Sequence, residues 1–397
     1  MNRAGGAPEP VGRRPLRVFM VAGEHSGDHL GAGLIRALRD RVGDLCVDGV
    51  GGRHMIEQGL RPLFPLADIA VMGFVPVIAR LPSLVRRIRE TAEAAVAARP
   101  GVLVIIDSPD FTHRVARRVR SLDPTIPIVD YVSPTVWAWR PGRAPAMRRY
   151  VDHLLALLPF EPDAHRRLGG PPATYVGHPL IERLDRLRPN PDEAAARERP
   201  TLLVLPGSRR SEIHRLTAPF GEAVLRVSKA IGGLEVVLPA VDDLAAEIRQ
   251  RVASWTVAPR IVTGEAAKLK AFRTARVALA ASGTVTLELA LAGVPLVVAY
   301  KVSPFETWLR FVVKVPSIVL PNLILGQNII PEFLQDACTP EALADAVVPL
   351  FGDTPARAAQ LAGFARLDAA MRIAPGSTPS QEAAAIVLSL ADNVRGT

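Results

Sequence analysis

A chain of 397 residues exceeds the size at which one hydrophobic core keeps growing, so two domains are expected, and 49% apolar residues supply both cores. A formal charge of +9 and a pI near 10.2 favour phosphorylated substrates, anionic lipid headgroups or nucleic acid as partners. Nucleic acid is the weakest of the three, because aromatics are only 5% and no dense Lys/Arg tract is interleaved with stacking side chains.

Residues 1–14 are rich in Gly, Pro and Arg without an apolar core, and read as a disordered tail and not a signal peptide. No apolar run reaches the length of a spanning helix, so a soluble or peripheral protein is expected. Cys46 and Cys338 offer neither a metal spacing nor a disulfide framework, which suits packed thiols in a reducing cytosol.

Residues 16–22 form the first expected strand. Gly23-Glu24-His25-Ser26-Gly27-Asp28 then opens a helix over about 29–39, either as the start of a nucleotide-binding half or as a plain strand-to-helix turn, since its glycines do not give G-x-G-x-x-G. A strand over 45–50, a short apolar segment at 72–75 and a long helix over 81–98 follow. Residues 102–106 are the clearest buried strand of this half, with Asp107 and Asp110 directly beyond it.

In open α/β sheets the ligand crevice lies beyond the carboxyl ends of the strands. Asp110 precedes an expected helix over 111–120 and suits its N-cap, whereas Asp107 has no obvious local partner, so Asp107 is preferred as a base. After a strand over 126–132, the loop from Ser133 to Arg140 holds two of the four tryptophans. Trp137, Trp139 and Arg140 fit an acyl-chain or sugar site, and tryptophans capping the core fit equally well. Strands over 153–158 and 174–176 complete the half.

Residues 187–200, with prolines at both ends and a charged middle, mark the connection between domains. The pattern then restarts: a strand over 201–205, the loop Pro206-Gly207-Ser208-Arg209-Arg210, and a helix over about 212–231. Gly207, Ser208 and Arg209 combine backbone donors, a hydroxyl and a guanidinium, which suits a diphosphate. Strands over 235–238 and 260–262 come next, and Asp242-Asp243 reads as a helix N-terminus, so neither a cofactor nor a metal is indicated.

The stretch VALAASGTVTLELALAGVPLVVAY, residues 277–300, is a complete βαβ unit. Ser282, Gly283 and Thr284 break the strand at a tight turn whose helix N-terminus is a natural phosphate seat. Glu288, a carboxylate on an otherwise apolar helix, suits an acceptor for sugar hydroxyls or a solvated face. FETWLRFVV at 305–313 fits a membrane contact or a packed helix. Residues 320–323 and 326–328 are expected as loops whose amides read a base or hydroxyls, before amphipathic helices near 341–350, 355–371 and 380–393.

AGEHSGDHLGAGLIRAL from Ala22, VMGF from Val71, IDSPDF from Ile106, YVSPTVWAWR from Tyr131, LPFEP from Leu158, LPGSR from Leu205, ASGTVTLE from Ala281 and LPNLILG from Leu320 together resemble the lipid-A-disaccharide synthases. The resemblance covers nearly the whole chain. It implies an α/β protein of two Rossmann-like domains facing a central cleft, the B-type glycosyltransferase arrangement. Residues 1–15 would be a tail, 16–186 the acceptor domain, 187–200 the linker and 201–379 the UDP-sugar domain, with the helix 380–397 commonly returned to the first domain.

The implied reaction transfers 2,3-diacylglucosamine from its UDP derivative to 2,3-diacylglucosamine 1-phosphate, with inversion and release of UDP, at the cytoplasmic face of the inner membrane. The resemblance makes Asp107 the candidate general base and places Arg209 and the Ser282 loop on the leaving diphosphate. It puts Glu24 and Ser26 in the first-loop motif, and Glu288 and Asn322 on the nucleotide side. Pro76 and His25 depart from the family pattern, and Pro76 bears on acceptor preference. Two other readings fit the same fold: a UDP-sugar 2-epimerase, for which only one convincing rim carboxylate is available, and a non-catalytic nucleotide-sugar-binding protein.

Overall fold

The computed structural model describes residues 15–69, 74–302 and 316–395. The tail 1–14, the VMG of VMGF, the side chain of Pro76 and the FETWLRFVV segment lie outside what it describes.

Strands β1 (Leu16–Ala22), β2 (Leu45–Val50), β3 (Leu60–Pro62), β4 (Val102–Ile106), β5 (Ile128–Tyr131), β6 (His153–Ala156) and β7 (Ala173–Tyr175) form one sheet in the order β3-β2-β1-β4-β5-β6-β7. Strands β8 (Thr201–Leu205), β9 (Glu235–Ala240), β10 (Arg260–Thr263), β11 (Val277–Ala281), β12 (Leu296–Tyr300) and β13 (Glu332–Leu334) form a second, in the order β10-β9-β8-β11-β12-β13. Every pairing is parallel. The runs VLVII of β4 and VALAA of β11 are buried throughout, as strands covered by helices on both faces require.

Each sheet reverses its strand order once, between β1 and β4 and between β8 and β11. Ligands of doubly wound sheets bind at such reversals. Ala22 stands opposite Ile106, and Leu205 opposite Ala280, so the loop after β1 adjoins the one after β4, and the loop after β8 adjoins the one after β11.

Alternation within β1 divides the core of the first sheet. Val18, Met20 and Ala22 pack with Leu34, Ile35 and Leu38 on one face, while Phe19 and Val21 meet Phe111, Val115 and Val119 on the other. The last helix, Pro379–Arg395, adds Ala383, Ala384, Val387 and Ala391 to the first of these clusters, although the chain has by then built the whole second sheet. Its small side chains at helical spacing let it lie close to the helix His25–Val42.

The connection 187–200 is folded, not extended. Asn190 and Glu193 make a capping box on the helix Pro191–Ala196. Arg197 then donates to the carbonyls of Phe272, Arg273, Ala292 and Gly293, closing the ends of two second-sheet helices at once. Burial, with Arg357 nearby, lowers the Arg197 pKa to about 10.

Several local expectations failed, and the helix expected over 81–98 begins at Phe74. Asp110 is not a cap: Ser108 occupies the N-cap of the helix Pro109–Leu122, and the Asp110 side chain is exposed, 3.6 Å from Arg143. The first helix starts at His25, four residues earlier than its apolar pattern suggests. Strands β3 and β13 have three residues each, too few for any periodicity to register. Residues 320–323 belong to a helix, Leu320–Leu325, with Pro321 at its start, where a missing N–H costs nothing.

Candidate active site

A cavity of about 520 Å³ opens at the strand reversal of the second sheet, a size that suits a nucleotide. Gly207, Ser208 and Arg209 line it after β8, and Ser282, Gly283, Thr284 and Glu288 line it after β11. Val241, Asp242, Glu265 and Lys268 close its far side from the β9 and β10 loops.

Two residues that sequence reasoning missed organise this cavity. Glu212 is buried, and its Oε2 accepts from the backbone N–H groups of Ser208 and Arg209, while its Oε1 takes the Arg209 guanidinium. Those two N–H groups are therefore spent inside the loop. The Ser208 hydroxyl and the Arg209 guanidinium, whose side chain is 75% exposed, are what the loop presents. Gly207 has φ +117, and a Cβ there would lie 2.5 Å from the Glu212 side chain, so glycine is required twice over.

Lys268 is the second. Its Nζ lies 2.6 Å from Glu288 Oε2, which fixes a half-buried carboxylate at the cavity wall and removes the reading of Glu288 as a solvated face residue. Ser282 also has its groups engaged, its hydroxyl donating to the Ile318 carbonyl and its N–H to that of Ala299. Within this turn the start of the helix Val285–Leu291 remains to face an anion.

On the first sheet, the loops after β1 and β4 bring Glu24, Ser26 and Asp107 together. Ser26 Oγ donates to Asp107 Oδ2 at 2.7 Å, and the Ser108 N–H donates to Oδ1 at 2.7 Å, so the carboxylate that seemed to lack a partner is held at both oxygens. Asp107 and Ser108 adopt φ of +54 and +47, a left-handed pair that costs conformational energy in non-glycine residues. Thr112 Oγ1 secures the turn by donating to the Asp107 carbonyl, and Gly23 makes room for it, because a Cβ there would come within 2.3 Å of Ser108. Partial burial and then the Asp107 charge raise the Glu24 pKa, while Arg209 across the cleft lowers it. That last influence ties the two rims electrostatically.

Two expected residues, Asn322 and Trp137, have other work. Asn322 is 1% exposed; its Nδ2 donates to the Ile330 carbonyl and Glu332, and its Oδ1 accepts from the Ile330 N–H. Fully satisfied, it holds the edge strand β13 in place and is corrected from a nucleotide contact to a structural amide. Trp137 Nε1 donates to Glu161, and its ring meets Phe160 edge-on, so it anchors its loop on the core. Burial raises the Glu161 pKa to about 7, against N–H groups of Leu158, Trp137 and Leu157 that favour its charge. Arg140 lies over the Trp139 ring, 4.2 Å from its centroid, on the open side of that loop.

Among the described residues no group of three or more His, Cys, Asp and Glu is placed to hold a metal ion, and no helix is long and apolar enough to cross a membrane.

Comparisons with known proteins agree with this architecture. The chain is 57% identical over 378 residues to a lipid-A-disaccharide synthase of Rhodopseudomonas palustris strain HaA2, covering 94% of this chain and 96% of that protein. It is 56% identical to one from Nitrobacter hamburgensis, covering 96% and 97%. Among solved structures, a putative UDP-N-acetylglucosamine 2-epimerase from Listeria monocytogenes superposes with TM-score 0.61 at 13% identity, covering 96% and 98% of the two chains. MurG of Acinetobacter baumannii does so with TM-score 0.58 at 14% identity, covering 94% and 100%; at such identities the likeness establishes the B-type fold alone. The family model described as lipid-A-disaccharide synthetase matches residues 18–382, and the chain belongs to that family.

Proposed function

We propose that the chain transfers a 2,3-diacylglucosamine unit from UDP-2,3-diacylglucosamine to the 6-hydroxyl of 2,3-diacylglucosamine 1-phosphate, giving a β-1,6-linked disaccharide 1-phosphate and UDP. The observation that carries the reading is the pairing of a nucleotide-sized cavity on one rim with an oriented carboxylate, Asp107, on the other. A binding protein would need only the first.

In this mechanism the UDP group occupies the second-sheet cavity, with Glu288 accepting from ribose hydroxyls and Lys268 steadying it. Asp107 takes the proton from the acceptor hydroxyl as its oxygen attacks the anomeric carbon. Attack comes from the face opposite the diphosphate, so the configuration inverts. Negative charge developing on the leaving diphosphate meets the Arg209 guanidinium, the Ser208 hydroxyl and the helix start beyond Gly283. Trp139 and Arg140, beside the Asp107 loop, border the acceptor. Both substrates are anionic lipids, and the basic surface suits peripheral work at the cytoplasmic face of the inner membrane.

Mass analysis of the products tests this directly. The expected result is a disaccharide 1-phosphate only when both lipids are supplied. A UDP-sugar isomerised at its 2-position in the absence of acceptor would instead support an epimerase.

A further inference from the structure

The first-sheet rim carries a cluster that neither the donor cavity nor the base uses. His25 and His29 lie one turn apart on the helix His25–Val42, and His54 lies in the helix Arg53–Glu57 that follows β2, so all three stand beyond the carboxyl ends of β1 and β2. All three are exposed. The His29 and His54 rings overlap with centroids 3.8 Å apart and planes tilted by 35°. Arg183, from the segment joining the sheets, is close enough to act on the charge of His29, and its guanidinium pairs with Glu265 of the donor cavity. The cluster therefore lies along the seam between the two rims.

The carboxylate that touches it is already committed. Asp28, 1% exposed, accepts from the N–H groups of Gly52, His54 and Met55 and sits 2.9 Å from His54 Nδ1. Although His29 is exposed, partial desolvation by its neighbours first, then His54, hold its pKa below the ordinary value; Arg183 and His25 act in the same direction and Asp28 against it. Several cationic or potentially cationic groups thus converge with Asp28 already spent; Glu24 beside His25 and Glu265 on Arg183 offset part of that charge, and an incoming anion takes up the rest. With His54 Nδ1 turned to Asp28, its Nε2 is left to face a ligand.

We propose that His25, His29 and His54, with Arg183, form the subsite for the acceptor's phosphate monoester. The proposal rests on the transferase reading above. Ser26, in the same helical turn, grips Asp107, so one helix start would address both ends of a single sugar, its reactive hydroxyl and its phosphate. A phosphate monoester near neutral pH carries about −1.5 to −2 charges and three acceptor oxygens, which matches several imidazole donors and a guanidinium.

The test compares wild type with a His25→Ala/His29→Ala double variant, using 2,3-diacylglucosamine 1-phosphate and the same lipid without its phosphate as acceptors. His54 is left intact because it is tied to Asp28. The KM for the phosphorylated acceptor should rise roughly tenfold or more in the variant, with kcat, donor KM and the KM for the phosphate-free acceptor unchanged. An equal rise for both acceptors, or none, would overturn the proposal. Direct titration with glucosamine 1-phosphate separates this outcome from a failure of the transferase reading: binding that the double variant loses supports the subsite even without turnover, and a wild type that does not bind it removes the subsite.

Discussion

Asp107→Asn should lower acceptor-dependent turnover by about 10²- to 10⁴-fold, the range typical of a general base, with UDP binding unchanged. The amide keeps the size of the carboxylate, so the Ser108 N–H can still donate to its oxygen while the Ser26 hydroxyl turns to accept from its NH2, but it cannot take a proton. The donor cavity lies on the other sheet and should not sense the change. Ser26→Ala frees Oδ2 without removing the base and should cost less, roughly tenfold. Steady-state kinetics beside calorimetric UDP titration checks both. Equal losses in the two variants would mean that orientation, and not proton transfer, limits the rate.

Asp28→Ala should destabilise the first sheet by about 3 kcal/mol, because it strips a buried acceptor from several donors at once. The Asp28 carboxylate closes the start of the helix Arg53–Glu57 through the N–H groups of Gly52, His54 and Met55. Burial alone would raise its pKa, but the bonds from Met55, His54 and Gly52 outweigh burial and set it below the ordinary 3.8. A lowered carboxylate pKa contributes stability that is fully present above the unfolded value and disappears as pH falls through the native one. The wild type should therefore lose this contribution below about pH 4, and the variant should show a flatter acid limb. Urea unfolding followed from about pH 3 to about pH 7 checks it; identical acid limbs would remove Asp28 as the anchor.

Much of the site was legible because both strand reversals fall where Gly, Ser and Asp interrupt apolar runs. Loops after β1, β4, β8 and β11 could be named from punctuation alone, and parallel topology then placed them in adjoining pairs. What stayed hidden depends on partners distant in sequence. Ser26 and Asp107 are 81 residues apart, so Asp107 looked solitary until folding supplied its donor. Glu212 read as one helical carboxylate among many, although it consumes the backbone donors expected to serve the diphosphate. Asn322 shows the converse, a polar residue in an apparent loop that proves to be sealed inside an edge-strand contact. Asp110 lost its capping role to Ser108 through a left-handed turn that no propensity signals. The folded connection 187–200 was masked by prolines that start helices as readily as they break them.

The central claim is that one rim holds the nucleotide sugar while the other activates a second sugar. UDP release from UDP-2,3-diacylglucosamine, measured with and without 2,3-diacylglucosamine 1-phosphate, tests it most directly. Release that requires the acceptor lipid is the predicted result; release at the same rate without it would contradict the account.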